Sequence, residues 1–281
     1  VDGFRCDVGK GPPHDFWREL RQAVKAWRPD FALLGEVWDN TSTIASYFHD
    51  QYDMQFDYPL YYATLDLLLG KTDPHRFLRD YAGIRDAYPA GAQLVRFLDN
   101  HDNNRIGSLL AGDLRREKLA SGLLLTLPGT PLIYYGMEVG MQGMKPDPDI
   151  RRPMRWDLVT AQAGDSTSLL SWHRRLIRLR HALPALAARD DVAVTSLYAG
   201  ESEATDLLVY ERRAPGGGPA ALVVMNLSGQ PRQGRVTVSG AGALLRGRWR
   251  EALASGLRPD GTERGVDLSR GFSVSAEPYG F

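Results

Sequence analysis

Cysteine is almost missing from this 281-residue chain: Cys6 stands alone, so no intrachain disulfide can form. Also missing is any apolar run near the roughly 20 residues that a membrane-spanning helix needs. An excess of charge is absent too, since 34 basic residues balance 34 acidic ones. That balance removes the electrostatic reason to expect nucleic acid or an anionic membrane as partner, and it suits a neutral, hydroxyl-rich ligand. There is no internal repeat, no low-complexity tract beyond the glycine turn at 214–218, and no basic-plus-apolar leader. Nor is there an initial methionine. The chain opens at Val1, already inside a strand-like run, which reads as an artificial or processed boundary.

What is present is alternation of strand and helix signals. Gly3-Phe4-Arg5-Cys6-Asp7 reads as a strand running into a Gly/Pro-rich turn at 9–13. Period-two geometry puts Arg5 and Asp7 on one face, where the guanidinium keeps the carboxylate ionised. Residues 15–27 carry Phe16, Leu20, Val24 and Trp27 at helical spacing, and Pro29 stops them. A second apolar strand, 31–38, ends on Glu36, whose apolar neighbours favour its protonated form. Residues 39–52 read as a polar loop, 53–58 as a third strand, and 60–69 and 73–88 as helices. The fourth strand signal is Leu94-Val95-Arg96-Phe97-Leu98-Asp99-Asn100-His101-Asp102, apolar and then abruptly polar. A buried parallel strand is apolar throughout, so polar groups crowded at its C-terminal edge need a reason. Either the edge carries chemistry, or Asp102 or Asn100 caps the helix that follows. A helix at 114–125, a fifth strand at 129–136, a long loop at 137–164 and a helix at 168–181 complete the pattern of a parallel α/β sheet.

After Pro184 the texture changes. Short β-type runs at 192–198, 207–212, 220–226, 235–238 and 272–275 are separated by turn-rich stretches, including 214–218 and 259–261. Two domains are expected: an α/β domain over 1–183 and a small antiparallel β domain, a β-sandwich, over 184–281.

Three different strands thus deliver a carboxylate to the same edge: Asp7, Glu36 and Asp102. A buried ion pair or a helix cap would account for any one of them, but three point to a shared pocket. Two carboxylates flanking a bond are the equipment of glycoside hydrolysis, provided their environments keep one charged and the other protonated. The segments Gly3-Phe4-Arg5-Cys6-Asp7, Leu34-Gly35-Glu36-Val37-Trp38 and Phe97-Leu98-Asp99-Asn100-His101-Asp102 closely resemble, in order and spacing, three signature segments of the α-amylase family, glycoside hydrolase family 13. Residues 127–136 are similar to that family's eighth barrel strand, and Arg151-Arg152-Pro153-Met154-Arg155-Trp156 to a motif in the loop after it.

The resemblance implies a (β/α)8 TIM barrel, of which strands 4–8 are present here, followed by the family's C-terminal β domain. It implies that Asp7 is the nucleophile, Glu36 the general acid and base, and Asp102 the stabiliser of the oxocarbenium-like transition state. Arg5 and His101 would orient Asp7 and the sugar. Asp147 and Arg151 would grip a glucose on the donor side, while Trp38 and Lys10 would serve the acceptor side. As a plain sequence feature Trp38 reads equally well as a core aromatic. The expected substrate is an α-1,4-glucan or maltooligosaccharide. A transglycosylase or isomerase of the same family, or a non-catalytic relative, are the alternatives. No cofactor is assigned. Gly11 stands where many members carry a calcium-binding histidine, and the other calcium ligands of the full-length enzyme fall outside this chain. Gly136-Met137-Glu138 lacks the arginine of chloride-dependent members. A full barrel takes about 250 residues, so the expectation is a fragment of a longer enzyme, inactive or poorly folded alone.

Overall fold

The computed structural model describes residues 1–187, 193–196, 198–199, 206–213, 220–237, 246–250, 263–267 and 272–281. Five short strands, β1 (Gly3–Cys6), β2 (Ala32–Gly35), β3 (Met54–Phe56), β4 (Gln93–Arg96) and β5 (Thr130–Pro131), lie in one sheet in that order. Every neighbouring pair is parallel. Sequential order with no reversal winds the chain one way, as in the wall of a barrel, whereas a doubly wound sheet reverses its strand order part-way. Helices α1 (His14–Trp27), α2 (Thr41–Ser46), α3 (Tyr58–Leu68), α4 (Pro74–Asp86), α5 (Ile106–Leu109) and α6 (Leu114–Thr126) fill the connections between these strands.

Strand alternation sorts the core into two layers. Cys6, Leu33 and Leu94 pack with Trp17 of α1 on one side of the sheet. Phe56, Val95 and Phe97, with Leu34 and Met54 against them, meet Tyr58 and Tyr61 on the other. Arg5 pairs in register with Leu34 and Cys6 with Gly35. One step further on, that register brings Asp7 level with Glu36.

Two stretches read as loops contain helices. In 39–52, Asn40 caps α2 by accepting from the Thr43 N–H at 3.0 Å. In 137–164 there are a 3₁₀ turn (Met137–Val139), α7 (Asp147–Ile150) and α8 (Trp156–Gln162). All are four to seven residues or shorter, too brief for an apolar stripe to repeat. Conversely, the strand read at 129–136 shrinks to Thr130–Pro131 at the edge of the sheet, where the missing N–H of Pro131 is tolerated.

Helix α9 (Leu169–Ala182) packs on α6, with fully buried Trp172 donating its indole N–H to the Lys118 carbonyl at 2.8 Å. A 3₁₀ turn (Pro184–Leu186) leads to the β-rich segment: β6 (Ala193–Ser196), β7 (Tyr198–Ala199), β8 (Leu207–Arg213), β9 (Ala221–Asn226), β10 (Arg232–Thr237), β11 (Arg246–Arg250), β12 (Glu263–Asp267) and β13 (Phe272–Ala276). They form the sheets β6-β8-β9 and β13-β10-β7 and the pair β11-β12, and these strands pair antiparallel. The turns at 214–218 and 259–261 lie outside the described residues. Leu207 and Val209 of β8 face Val274 and Ala276, whereas Leu208 and Tyr210 turn the other way, into the core of α3, α4 and α6. Among the described residues no helix is long and apolar enough to cross a membrane.

The core also holds an ion pair. Asp57, at the N-cap of α3, is fully buried against Arg96 of β4 and accepts from Tyr88 Oη at 3.0 Å and the Leu60 N–H at 3.1 Å. Removing one member of such a pair leaves the other charge without compensation. Asp57→Ala is therefore expected to cost about 3–5 kcal/mol, measured by urea denaturation. An unchanged midpoint would show that the pair contributes nothing net.

Candidate active site

The C-terminal ends of β1, β2 and β4 carry the polar residues singled out from sequence. Just beyond β1, Val8 has φ of 45°, unusual for a β-branched residue. The strained turn reverses the chain directly after Asp7 and lets the Gly9 N–H donate to the Glu36 carbonyl at 2.7 Å. Before Glu36 the chain requires glycine: a Cβ on Gly35 would lie 2.5 Å from the Tyr52 ring.

Arg5 is the hub. Its Nη1 bonds Asp7 Oδ1, and its Nη2 lies 2.6 Å from Glu36 Oε1. Desolvation pulls the guanidinium down, but the hydrogen bond to Asp7 and the charges of Glu36, Asp7 and Asp102 outweigh it and hold Arg5 above the ordinary arginine range. The expectation that Arg5 distinguishes Asp7 from Glu36 is corrected, because it grips both. What separates the two acids is exposure, 70% for the Asp7 side chain and 8% for that of Glu36. Asp7 is open because β1 is an edge strand, paired only with β2 among the described residues.

Glu36 Oε1 also accepts from Tyr58 Oη at 3.2 Å, and Oε2 from the Val8 N–H at 3.4 Å. Trp38 lies flat on Tyr58, ring centroids 4.5 Å apart, and donates its indole N–H to Tyr62 Oη at 2.8 Å. With 40% of its surface exposed, Trp38 is not a core aromatic; one face rests on Tyr58. Lys10 is exposed and paired with Asp39 at 2.8 Å.

A second cluster forms past β4. His101 Nε2 is 3.2 Å from Asp102 Oδ2. Arg151 donates from Nη2 to Asp102 Oδ1 at 2.7 Å and from Nε to the His101 carbonyl at 2.8 Å, with Asp147 3.0 Å away on the same turn of α7. Neither Asp102 nor Asn100 caps the following helix. Asn100 accepts from the Asp102 N–H at 2.8 Å and the Asn103 amide at 2.7 Å, within its own turn. Asp99 caps α5, accepting from the Ile106 N–H at 2.9 Å. Tyr58 links the clusters: burial raises its hydroxyl far above the ordinary tyrosine range, as does the charge of Glu36, while Asn100 hydrogen-bonds it and Asp102 adds its own charge.

The family model for the α-amylase catalytic domain matches residues 1–188. This chain belongs to the α-amylase family. It is 33% identical over 285 residues to a cyclomaltodextrinase of Geobacillus thermopakistaniensis, a match covering 100% of this chain and 44% of that protein. The crystal structure of the α-amylase from H. orenii superposes with a TM-score of 0.80 at 26% identity, covering 100% of this chain and 60% of that one. The α-amylase of Geobacillus thermoleovorans complexed with acarbose gives 0.79 at 28% identity, covering 99% and 58%. The chain spans less than half the length of the curated relatives it matches most strongly.

Three residues in contact with these clusters escaped the sequence reading. Tyr58 sits at a helix start, like any capped aromatic. Arg105 follows the polar cluster and is fully buried. Asp99 is hidden in a run of ionisable and amide residues, and its bond to the Ile106 N–H depends on a turn that the run does not announce. No group of three His, Cys, Asp or Glu side chains among the described residues is arranged to hold a metal ion.

Behind the site lie two buried acids of abnormal acidity. Burial pushes Asp99 up to about 7, against the Ile106 N–H and the charge of Arg105. Burial, followed by the charges of Asp113 and Asp99, takes Glu117 of α6 to about 7 as well. A raised acid favours folding while neutral, and that contribution is lost as pH climbs through 7. Glu117→Gln removes the titration. Its thermal midpoint relative to wild type should therefore rise from pH 5 to pH 8, by on the order of 2–4 °C. A pH-independent difference, read by calorimetry, would place the titration elsewhere.

Proposed function

We propose that this chain carries the acid-bearing half of a retaining glycoside hydrolase that cleaves α-1,4-glucosidic bonds in starch-like glucans or maltooligosaccharides. The observation that carries the proposal is the forked Arg5, which holds Asp7 and Glu36 with one guanidinium while Asp102 acts on it from the next cluster. Asp7 is the nucleophile. Arg5 occupies its Oδ1, and Oδ2 remains to attack the anomeric carbon as the glycosidic C–O bond breaks. Glu36 protonates the leaving oxygen, then takes a proton from the water that cleaves the glycosyl-enzyme bond. Its Oε1 is held by Arg5 and Tyr58, so Oε2, with only the long contact from Val8, is the oxygen that exchanges the proton. Asp102, fixed by His101 and Arg151, holds sugar hydroxyls where positive charge develops. Trp38 offers the acceptor sugar a flat apolar surface beside Glu36. The cyclomaltodextrinase relative and the acarbose-bound α-amylase support an oligosaccharide of glucose as the substrate class.

In the full-length protein, Glu36→Gln should lower turnover of maltoheptaose by on the order of 10²–10⁴ while sparing glucan binding. Unchanged turnover would remove Glu36 from this role. The exposed Trp38 and Tyr62 also favour a second reading, in which an acceptor sugar displaces water and the enzyme is a transglycosylase. Oligomers longer than maltoheptaose among its products would establish that reading over hydrolysis.

The isolated 281-residue chain should hydrolyse no measurable starch. Asp7 stands on an uncovered sheet edge, where water competes for the carboxylate and nothing fixes a sugar against its outer side. Hydrolysis by the purified chain would overturn this.

A further inference from the structure

Arg105 is fully buried, yet no carboxylate among the described residues lies within ion-pair distance of its guanidinium. Such a charge needs compensation from elsewhere. It comes from two aromatic faces and two carbonyls, with the Asp99 carboxyl acting from beyond ion-pair distance. The guanidinium carbon sits 4.4 Å from the Tyr134 ring centroid and 4.7 Å from that of Tyr135. Nε donates to the Ile150 carbonyl at 3.0 Å and Nη1 to the Tyr135 carbonyl at 2.6 Å. The backbone N–H of Arg105 donates to the Gly143 carbonyl at 3.0 Å. Tyr135 in turn donates its hydroxyl to the Arg152 carbonyl at 2.7 Å. The carbonyls of Ile150 and Arg152 are those on either side of Arg151, the residue that reaches Asp102 and the His101 carbonyl.

We propose that Arg105 and Tyr135 form a clamp on the backbone around Arg151, making them positioning residues for the donor-side grip on the sugar. The proposal rests on the glucan-cleaving reading of the site. Neither side chain touches Arg151's guanidinium or Asp102; both act by holding the peptide groups that aim Arg151. A lysine at 105 cannot replace the arginine, since it lacks both the planar face that lies against the two rings and the fork that reaches two carbonyls.

Tyr135→Phe is the discriminating variant. It keeps the ring beside Arg105, loses the hydroxyl's bonds to the Arg152 carbonyl and to Tyr134, and alters a partly exposed side chain, so folding is not at stake. In the full-length protein, KM for maltoheptaose and Kd for acarbose should rise about 2- to 10-fold, the value of one hydrogen bond, with kcat little changed. In an Arg151→Ala background the same substitution should change neither constant, because a clamp has no effect once the residue it aims is gone. Equal factors in both backgrounds, or no change in the first, would overturn the clamp. Calorimetric titration with acarbose reads this cycle without turnover, so it still decides the clamp if Glu36→Gln sinks the hydrolytic reading. Absence of acarbose binding by the unaltered protein would overturn both.

Discussion

One guanidinium organises the pocket. Arg5 stands opposite Leu34 in the β1–β2 register, and that single alignment decides that its fork lies between the acid one residue past β1 and the acid one residue past β2. A slip of one residue would turn Arg5 to the opposite face and leave two carboxylates of like charge facing each other. The register in turn is fixed by close contacts on both sides: Gly9 under the Glu36 carbonyl and Gly35 under the Tyr52 ring. The chemistry of the site therefore depends on backbone packing that contains no catalytic group.

Much of this was legible in the sequence because it depends on period-two alternation. Arg5 and Asp7 on one face, Glu36 at the end of an apolar run and Asp102 at the end of another all follow from strand geometry, and the structure brings them to one edge. The partnering of Glu36 did not follow. Its sequence neighbours are apolar, but the charge that meets it comes from the adjacent strand, and register is a tertiary property that local pattern leaves open. The same limit explains Arg105 and Asp99. Each looks like a surface residue in a polar stretch, and each is buried by segments 30 or more positions away, or by the turn of its own loop. The short helices α2, α7 and α8 went unread because none is long enough for an apolar stripe to repeat.

The two clusters differ in how they are held. Arg5, Asp7 and Glu36 sit on strands and inherit their stiffness. His101 and Asp102 sit on a loop, and Asp147 and Arg151 on the single turn of α7 and its end, segments that can keep a defined geometry only if their peptide groups are tied down. The pairing of Asp99 with the Ile106 N–H and of Arg105 with the Ile150 carbonyl supplies those ties from beneath. Loop residues thus gain the order of a strand end through buried polar contacts.

Strand β8 gives its odd-numbered side chains to one interior and its even-numbered ones to another. A boundary drawn at residue 184 is thus a change of sequence texture more than a seam. Truncating there would bare Leu208, Tyr210, Val223 and Met225 together with the helix flanks they cover, an oily wound on both pieces. Grafting the terminal sheets onto an unrelated host would meet the same obstacle, and chimeras of this chain are best joined elsewhere.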